Sequence, residues 1–498
     1  MERNTPTADE EQTPFIPGEQ QVSRVDECVA NEVLPETPQI PDDQKIVAGN
    51  AWKSTGKILY DVFPNLVSAV CFFLITSIDL SVVSKLNDTT IYSGLGLGMT
   101  WAALTTKNVI GSLNQGTITI SSQAFGAGNF TTVGLCFHRA LTNRLIGSIF
   151  HITLLALANL ILSALQVEES IATQATTYCR YFMLAVIPYI LLDTFGSFLV
   201  SHQVFYPIMV IKMIGLAFHW YVCNYFVIDL GLELKGAALA DAATLSLLSL
   251  LVIGYVFICN KVKKSLFAPR KESFQKLFDQ MKIEIVIAAF FYLEGIAMQI
   301  LTLIGGSYSS IQVSAQAAVS NITQLASMPM CGLNTVLTTY IASLLGKKSI
   351  SDLKKCIYYG IFIAFAYGVI ALSVILIWRR QILGYYSTND EVIELGIKII
   401  LVYSPFFLID YVRSVLVSAL KSIGKEKIGS IAFLISYYVV GLLCEYLFGT
   451  TFKFYDQGLW VGVGLGTTTM LVTVTVLLLK TDLNVQASQI EKRINYLD

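Results

Sequence analysis

The chain has 498 residues, 54% of them hydrophobic and only 14% charged. Soluble globular proteins carry about 25% charged residues, so a soluble enzyme is excluded, and at roughly 20 apolar residues per bilayer crossing the composition fits a polytopic all-α membrane protein. Lysine plus arginine (34) nearly balances aspartate plus glutamate (35), for a net charge of -1; with no basic cluster interleaved with aromatics, nucleic acid is excluded as a partner.

Residues 1–55 are polar, acidic and dotted with proline, and lack the apolar stretch of a signal peptide, which predicts a disordered cytosolic tail. Apolar helical runs follow at 60–85, 91–123, 131–165, 170–203, 206–229 and 236–260, then at 280–306, 312–346, 350–378, 391–422, 427–449 and 457–480. Twelve crossings return the chain to the side on which it started. Loops on that side hold Lys261, Lys263, Lys264, Arg270, Lys271, Lys276, Lys347, Lys348, Lys354, Lys355, Lys421, Lys425 and Lys427, against Lys85, Lys235, Arg379, Arg380 and Lys453 on the other. The positive-inside bias then places both termini in the cytosol. The predicted layout is an N-lobe of helices 1–6 (56–260), a basic cytosolic linker (261–279), a C-lobe of helices 7–12 (280–481) and a cytosolic tail (482–498). The nine cysteines stand singly, without metal-ligand spacing, and read as small core side chains. Asn87-Asp88-Thr89 is a glycosylation acceptor on the predicted outer side.

An internal repeat supports two lobes. Pro188, Leu191, Asp193, Ser197, Leu199, Val200 and Ser201 recur 217 residues later as Pro405, Leu408, Asp410, Ser414, Leu416, Val417 and Ser418. A looser echo links Gly126 at the end of the second crossing to Gly346 at the end of the eighth. Six is even, so the halves share one orientation and are related by a pseudo-two-fold axis along the membrane normal, enclosing a central cleft.

The second crossing ends Gln123-Ala124-Phe125-Gly126-Ala127-Gly128, which resembles the glycine-spaced ending found in the multidrug and toxic compound extrusion (MATE) family. The likeness continues in order through Asn224-Tyr225, Gly231 to Gly236, Leu293-Glu294, Met328-Pro329 with Gly332, Leu420 to Gly424, Tyr437-Tyr438 with Gly441, and Gly458-Leu459-Trp460, covering about 55–480 with a eukaryotic flavour. The resemblance implies twelve helices in two lobes. It also implies export of small organic solutes or xenobiotics, cationic or amphipathic, driven by inward protons or sodium, with no other cofactor, by a monomer in the plasma membrane or an internal membrane such as the vacuole.

Ionisable side chains inside a membrane are costly and mark functional sites by default. Asp79 follows Pro64 by 15 residues, the spacing of the family's prokaryotic branch, where that carboxylate binds the coupling cation; the alternative is a helix-end cap near the outer interface. Glu294 has no lysine or arginine within one turn and matches a glutamate of the eukaryotic branch used in proton coupling. Gly295, Ile296 and Gln299 replace two tryptophans and a second glutamate there, so this helix matches at one acid only. Asp410 matches an acidic position of the tenth helix, but Arg413 shares its face three residues on and would hold it ionised. Asn224 matches an asparagine of the prokaryotic cation site, without the accompanying aspartate. Gln123, Gln299 and Tyr292 complete the candidate cavity. Asp193, Lys107, Arg144, Lys212, His219, Asp241 and Glu445 read as interhelical hydrogen-bond glue or snorkelling ends.

The expected function is therefore a secondary active antiporter. Its rivals are a lipid-linked oligosaccharide flippase of related architecture, for which the acidic cavity candidates are the wrong sign, and a non-transporting scaffold, which has no use for unpaired carboxylates in hydrocarbon. The basic loop of facilitator-superfamily transporters is replaced by Gly126-Ala127-Gly128-Asn129-Phe130, and no nucleotide-binding loop or nucleophile–base set supports ATP drive or an enzyme.

Overall fold

The computed structural model describes residues 51–305 and 310–498, with backbone alone at 51, 291, 294–305 and 310. The tail expected at 1–50 lies outside the described residues; residues 51–55, expected in that tail, form the first turns of α1 (Ala51–Ser84). The second span runs back through α2 (Thr89–Ala102), a π turn (Ala103–Lys107) and α3 (Asn108–Gly126). The third is α4 (Phe130–Ala156) with α5 (Ala158–Ala164), bent by 49° at their junction. The N-lobe is completed by α6 (Glu169–Ser201), α7 (Tyr206–Asn224) with a π turn (Tyr225–Asp229), and α8 (Glu233–Ile258).

The C-lobe begins with α9 (Leu277–Gly305), which starts inside the expected linker, and α10 (Ser310–Gly346). It continues with α11 (Ile350–Ile377), a short α12 (Arg379–Tyr386) and α13 (Asp390–Ser422). The eleventh span is α14 (Glu426–Phe433), a π turn (Leu434–Gly441), α15 (Leu442–Tyr446) and a second π turn (Leu447–Thr451), and the twelfth is α16 (Tyr455–Lys480). The expected C-terminal tail is a helix, α17 (Leu483–Leu497). Among the described residues nine helices are long and apolar enough to cross a membrane alone, and the bent α4–α5 pair is a tenth. The second span and α9 make twelve. The second span fails on hydropathy because its inner half buries Ser112, Asn114, Thr117, Thr119, Ser121 and Ser122, polar groups that a helix enclosed by other helices can hydrogen-bond.

Local chemistry sets the ends and bends. Asp88 caps α2, its carboxylate accepting from Thr90 N and Ile91 N at 2.8 and 3.0 Å. Pro64, Pro188, Pro329 and Pro405 lie inside helices; the carbonyl that Pro64 frees, Tyr60 O, accepts from Tyr206 OH of α7 at 3.1 Å, and the one that Pro405 frees, Leu401 O, accepts from Ser404 Oγ at 2.8 Å.

The two lobes meet through a symmetric glycine crossing. A Cβ on Gly126 would overlap the Ser343 backbone, and one on Gly346 would overlap the Gln123 carbonyl; the Gly126–Gly346 echo is thus a backbone contact straddling the pseudo-two-fold axis. Around it the lobes are tied on the side of the chain ends. The Gln123 amide donates to Ser422 O at 2.8 Å, Tyr340 OH donates to Asp61, and Gln280 donates to Cys136 O at 2.9 Å. Arg144 of α4 pairs with Glu284 of α9 at 3.3 Å, both almost fully buried, and Thr117 donates to the same carboxylate at 2.8 Å. Glycine serves equally within the C-lobe, where a Cβ on Gly462 would press on the Glu445 backbone. Gly462→Ala is expected to lower stability by about 1–3 kcal/mol, seen as a lower melting temperature in detergent.

Candidate functional site

The N-lobe gathers charge from five spans into one buried cluster. α1 supplies Asp79, one and a half turns before its end; α7 supplies His219 and Cys223, four residues apart and so on one face; α8 supplies Asp241 and Thr244; α6 supplies Tyr178. The π turn of the second span ends at Lys107, and such turns are frequent at functional sites. Asp79 is 0% exposed. Its Oδ1 lies 3.0 Å from His219 Nε2 and accepts from Cys223 Sγ at 3.4 Å, while Oδ2 has no hydrogen-bond partner among the described residues. His219 Nδ1 lies 2.9 Å from Thr244 Oγ1. Tyr178 OH donates to Asp241 Oδ2 at 2.6 Å, and Lys107 Nζ stands 3.8 Å from the same oxygen and 4.9 Å from the Phe182 ring centroid, a cation–π distance.

This arrangement corrects two expectations. Asp79 is no helix-end cap: it faces inward and is enclosed. Asn224 does not join it. One residue past Cys223, it is turned about 100° around the helix, lies half-exposed, and accepts from Lys85 Nζ at 3.2 Å at the outer rim. His219, Lys107 and Asp241 do join helices, as the glue reading had it, and Cys223 is buried in the core as expected; together they meet around Asp79. The His219–Cys223 spacing was the available signal. Asp79 Oδ1, His219 and Cys223 offer ligand atoms within 4.8 Å of one another; with Nε2 and Sγ protonated, both donate to the one carboxylate oxygen.

In the C-lobe, the side chains of Glu294 and Gln299 lie outside the described residues. Asp410 is not unpaired: Arg413 reaches Oδ1 through Nε at 2.8 Å, and its guanidinium sits 5.6 Å from the Tyr437 ring centroid. Its repeat partner Asp193 is held by Asn114 of α3. Asn334 stands in α10 as Asn114 does in α3, and donates to Ser414 at 2.6 Å, one turn beyond the aspartate that Arg413 already occupies. Gln123 is not in a cavity, because its amide is spent on the inter-lobe bond to Ser422 O. Tyr292 OH donates to Leu104 O at 3.1 Å across the lobes. Two further buried acids stand near the outer ends of their spans: Glu445 Oε2 and both carboxyl oxygens of Asp456 have no hydrogen-bond partner among the described residues. Asp456 was missed in the sequence, since it follows a loop and reads as a helix-start residue.

The family model described as MatE matches residues 64–226 and 287–447. Protein DETOXIFICATION 17 of Arabidopsis thaliana is 27% identical over 383 residues, 76% of this chain and 80% of that one. Multidrug resistance protein NorM of Aliivibrio fischeri is 26% identical over 367 residues, 71% and 79% of the two chains. Among solved structures, the eukaryotic MATE transporter AtDTX14 superposes with a TM-score of 0.82 at 19% identity, over 89% of this chain and all of that one. The Vibrio cholerae MATE transporter VcmN gives 0.79 at 15% identity, over 87% and 99%.

Proposed function

The chain belongs to the multidrug and toxic compound extrusion family of efflux transporters, and from that premise we propose that it is an antiporter exporting small organic, cationic or amphipathic solutes in exchange for protons. The observation that carries this reading is the enclosed Asp79, whose neighbours are hydrogen-bond donors. A hard alkali cation needs oxygen acceptors around it; a proton needs a base with a partner.

The chemistry follows from the hydrogen bonds. With imidazole neutral, His219 Nε2–H donates to ionised Asp79 and Nδ1 accepts from the Thr244 hydroxyl. After proton uptake the imidazolium donates from both nitrogens, and Thr244 turns to accept. No heavy atom needs to move. Asp79 and Asp241 against Lys107 leave one net negative charge in the cluster, which a single proton cancels, so loading and unloading change the cost of burying it. A ligand shifts a conformational equilibrium only by its differential affinity for the two states; protonation from the outer side would favour the state that has released cargo. Glu294, on α9, is proposed as a second carboxylate of the pathway. The lysine-rich loops favour both ends of the chain lying in the cytosol.

Purified full-length protein in liposomes, loaded with ethidium and given a proton gradient or a sodium gradient separately, tests this. Ethidium exchange driven by protons alone is expected. A response to sodium with the pH clamped would overturn proton coupling, and a response to neither would overturn antiport.

A further inference from the structure

α17 lies against both lobes on the side of the chain ends. Its residues Ala487, Ile490, Ile494 and Leu497 are buried at the i, i+3, i+4 spacing of a single helix face. The body of the helix sits on the C-lobe. Ile490 packs over Gly424, where a Cβ would come within 3.0 Å of its Cδ1; Arg493 donates to Glu426 at 2.9 Å, and Lys348 pairs with Glu491 at 2.8 Å.

The tip sits on the N-lobe. Leu497 is enclosed with Ile120 of α3 and Cys136 of α4, with Ile283 of α9 packed alongside. Its carbonyl accepts from Arg139 of α4 at 2.5 Å, and Thr132 donates to Asp498 at 3.2 Å. Arg139 is 0% exposed and also donates to Glu272 O of the linker at 3.0 Å, while Lys276 holds the Tyr496 carbonyl at 2.5 Å. One buried guanidinium therefore joins the N-lobe, the linker and the negative end of α17.

A helix of 15 residues is a rod of about 22 Å that cannot stretch. Rigid-body rocking of two lobes would pull its two anchors apart. We infer that α17 is a latch: its body stays on the C-lobe, its tip grips the N-lobe, and the tip lets go each time the lobes part on the side of the chain ends. The tip is the end of the helix, where fraying begins. Release also strips Arg139 of an acceptor while it is buried, which biases the protein toward the form closed on this side. The inference relies on the transport reading only in requiring that the lobes move.

The Tyr496–Asp279 bond at the tip is not set by pH in the physiological range. Tyr496 donates to Asp279 at 2.9 Å, and that bond with those from Lys282 and the nearby charge of Lys276 holds the Asp279 carboxyl below its ordinary 3.8. A lowered value means the bond is present above that pH and is lost only as pH falls through it, below about pH 4.

Paired cysteines test the latch. In Thr132→Cys/Asp498→Cys, oxidation ties the tip to the N-lobe; ethidium exchange is expected to fall at least about tenfold and to return on reduction. In Glu426→Cys/Arg493→Cys, oxidation ties the body to the C-lobe and is expected to leave exchange within about twofold of the reduced sample. Unchanged exchange in the first pair, or a block in the second, would overturn the inference. Failure of transport in both reduced samples would instead count against the antiport reading, so a structural readout is kept beside it: Leu497→Ser is expected to raise maleimide labelling of Gln203→Cys, at the closed side, at least about fivefold. Equal labelling with and without Leu497→Ser overturns the latch whatever the transport result.

Discussion

Asp79→Asn is expected to cut proton-driven efflux by about 100-fold or more, equivalent to at least ~2.7 kcal/mol, while leaving the protein folded. Asparagine keeps an oxygen where His219 Nε2 and Cys223 Sγ approach, at 3.0 and 3.4 Å, so the enclosing hydrogen bonds survive and stability should change by only about 1 kcal/mol. What disappears is the charge that a proton neutralises. The mutant cluster keeps Asp241 against Lys107 and is neutral without any proton, so the gradient has nothing to act on. His219→Gln is expected to give a smaller loss, about tenfold, because Asp79 can take the proton directly once the imidazole is gone. Ethidium efflux from proteoliposomes under an imposed proton gradient, beside melting curves in detergent, separates coupling from stability. Near-normal efflux in Asp79→Asn would remove the N-lobe cluster from the mechanism and leave Glu294 as the carboxylate to examine.

The fold was legible because bilayer thickness makes each crossing a long apolar run, and the repeat of Pro188–Ser201 in Pro405–Ser418 announced two lobes. Where the reading slipped, the cause was local. Residues 482–498 are polar enough to pass for a tail, yet Ala487, Ile490, Ile494 and Leu497 already carried helical periodicity. The candidate site was legible residue by residue and not as a constellation. Asp79 stood out through its spacing from Pro64, and Asp410 with Arg413 through three-residue spacing. The convergence of Lys107, Tyr178, His219, Asp241 and Thr244 on one point is set by how α7 packs against α1 and α8, and α6 against α8 and α2, and no local pattern encodes that. Asn224 misled because a motif match fixes a position in the chain and not the phase of the helix there. Gln123 misled differently: beside a glycine crossing, a glutamine is a strut between backbones.

Arg413 and Asp410 are expected to respond unequally to removal, and the inequality decides what the aspartate does. The Arg413 side chain is 5% exposed and that of Asp410 28%. Breaking a fully buried pair by deleting one partner costs about 3–5 kcal/mol; with Asp410 partly exposed, Arg413→Met should cost about 1–3 kcal/mol after allowing for solvent screening. Asp410→Asn should cost less, near 1 kcal/mol, since the amide oxygen can still accept from Arg413. A double-mutant cycle on melting temperature reads the coupling between them. Arginine at 2.8 Å makes Asp410 an anchor for α13 near Pro405, so Asp410→Asn is expected to retain the pH dependence of ethidium binding that Asp79→Asn loses. If Asp410→Asn abolishes that dependence while its stability stays within about 1 kcal/mol of wild type, the proton is carried in the C-lobe, and Arg413 must then swing away from Asp410 during the cycle.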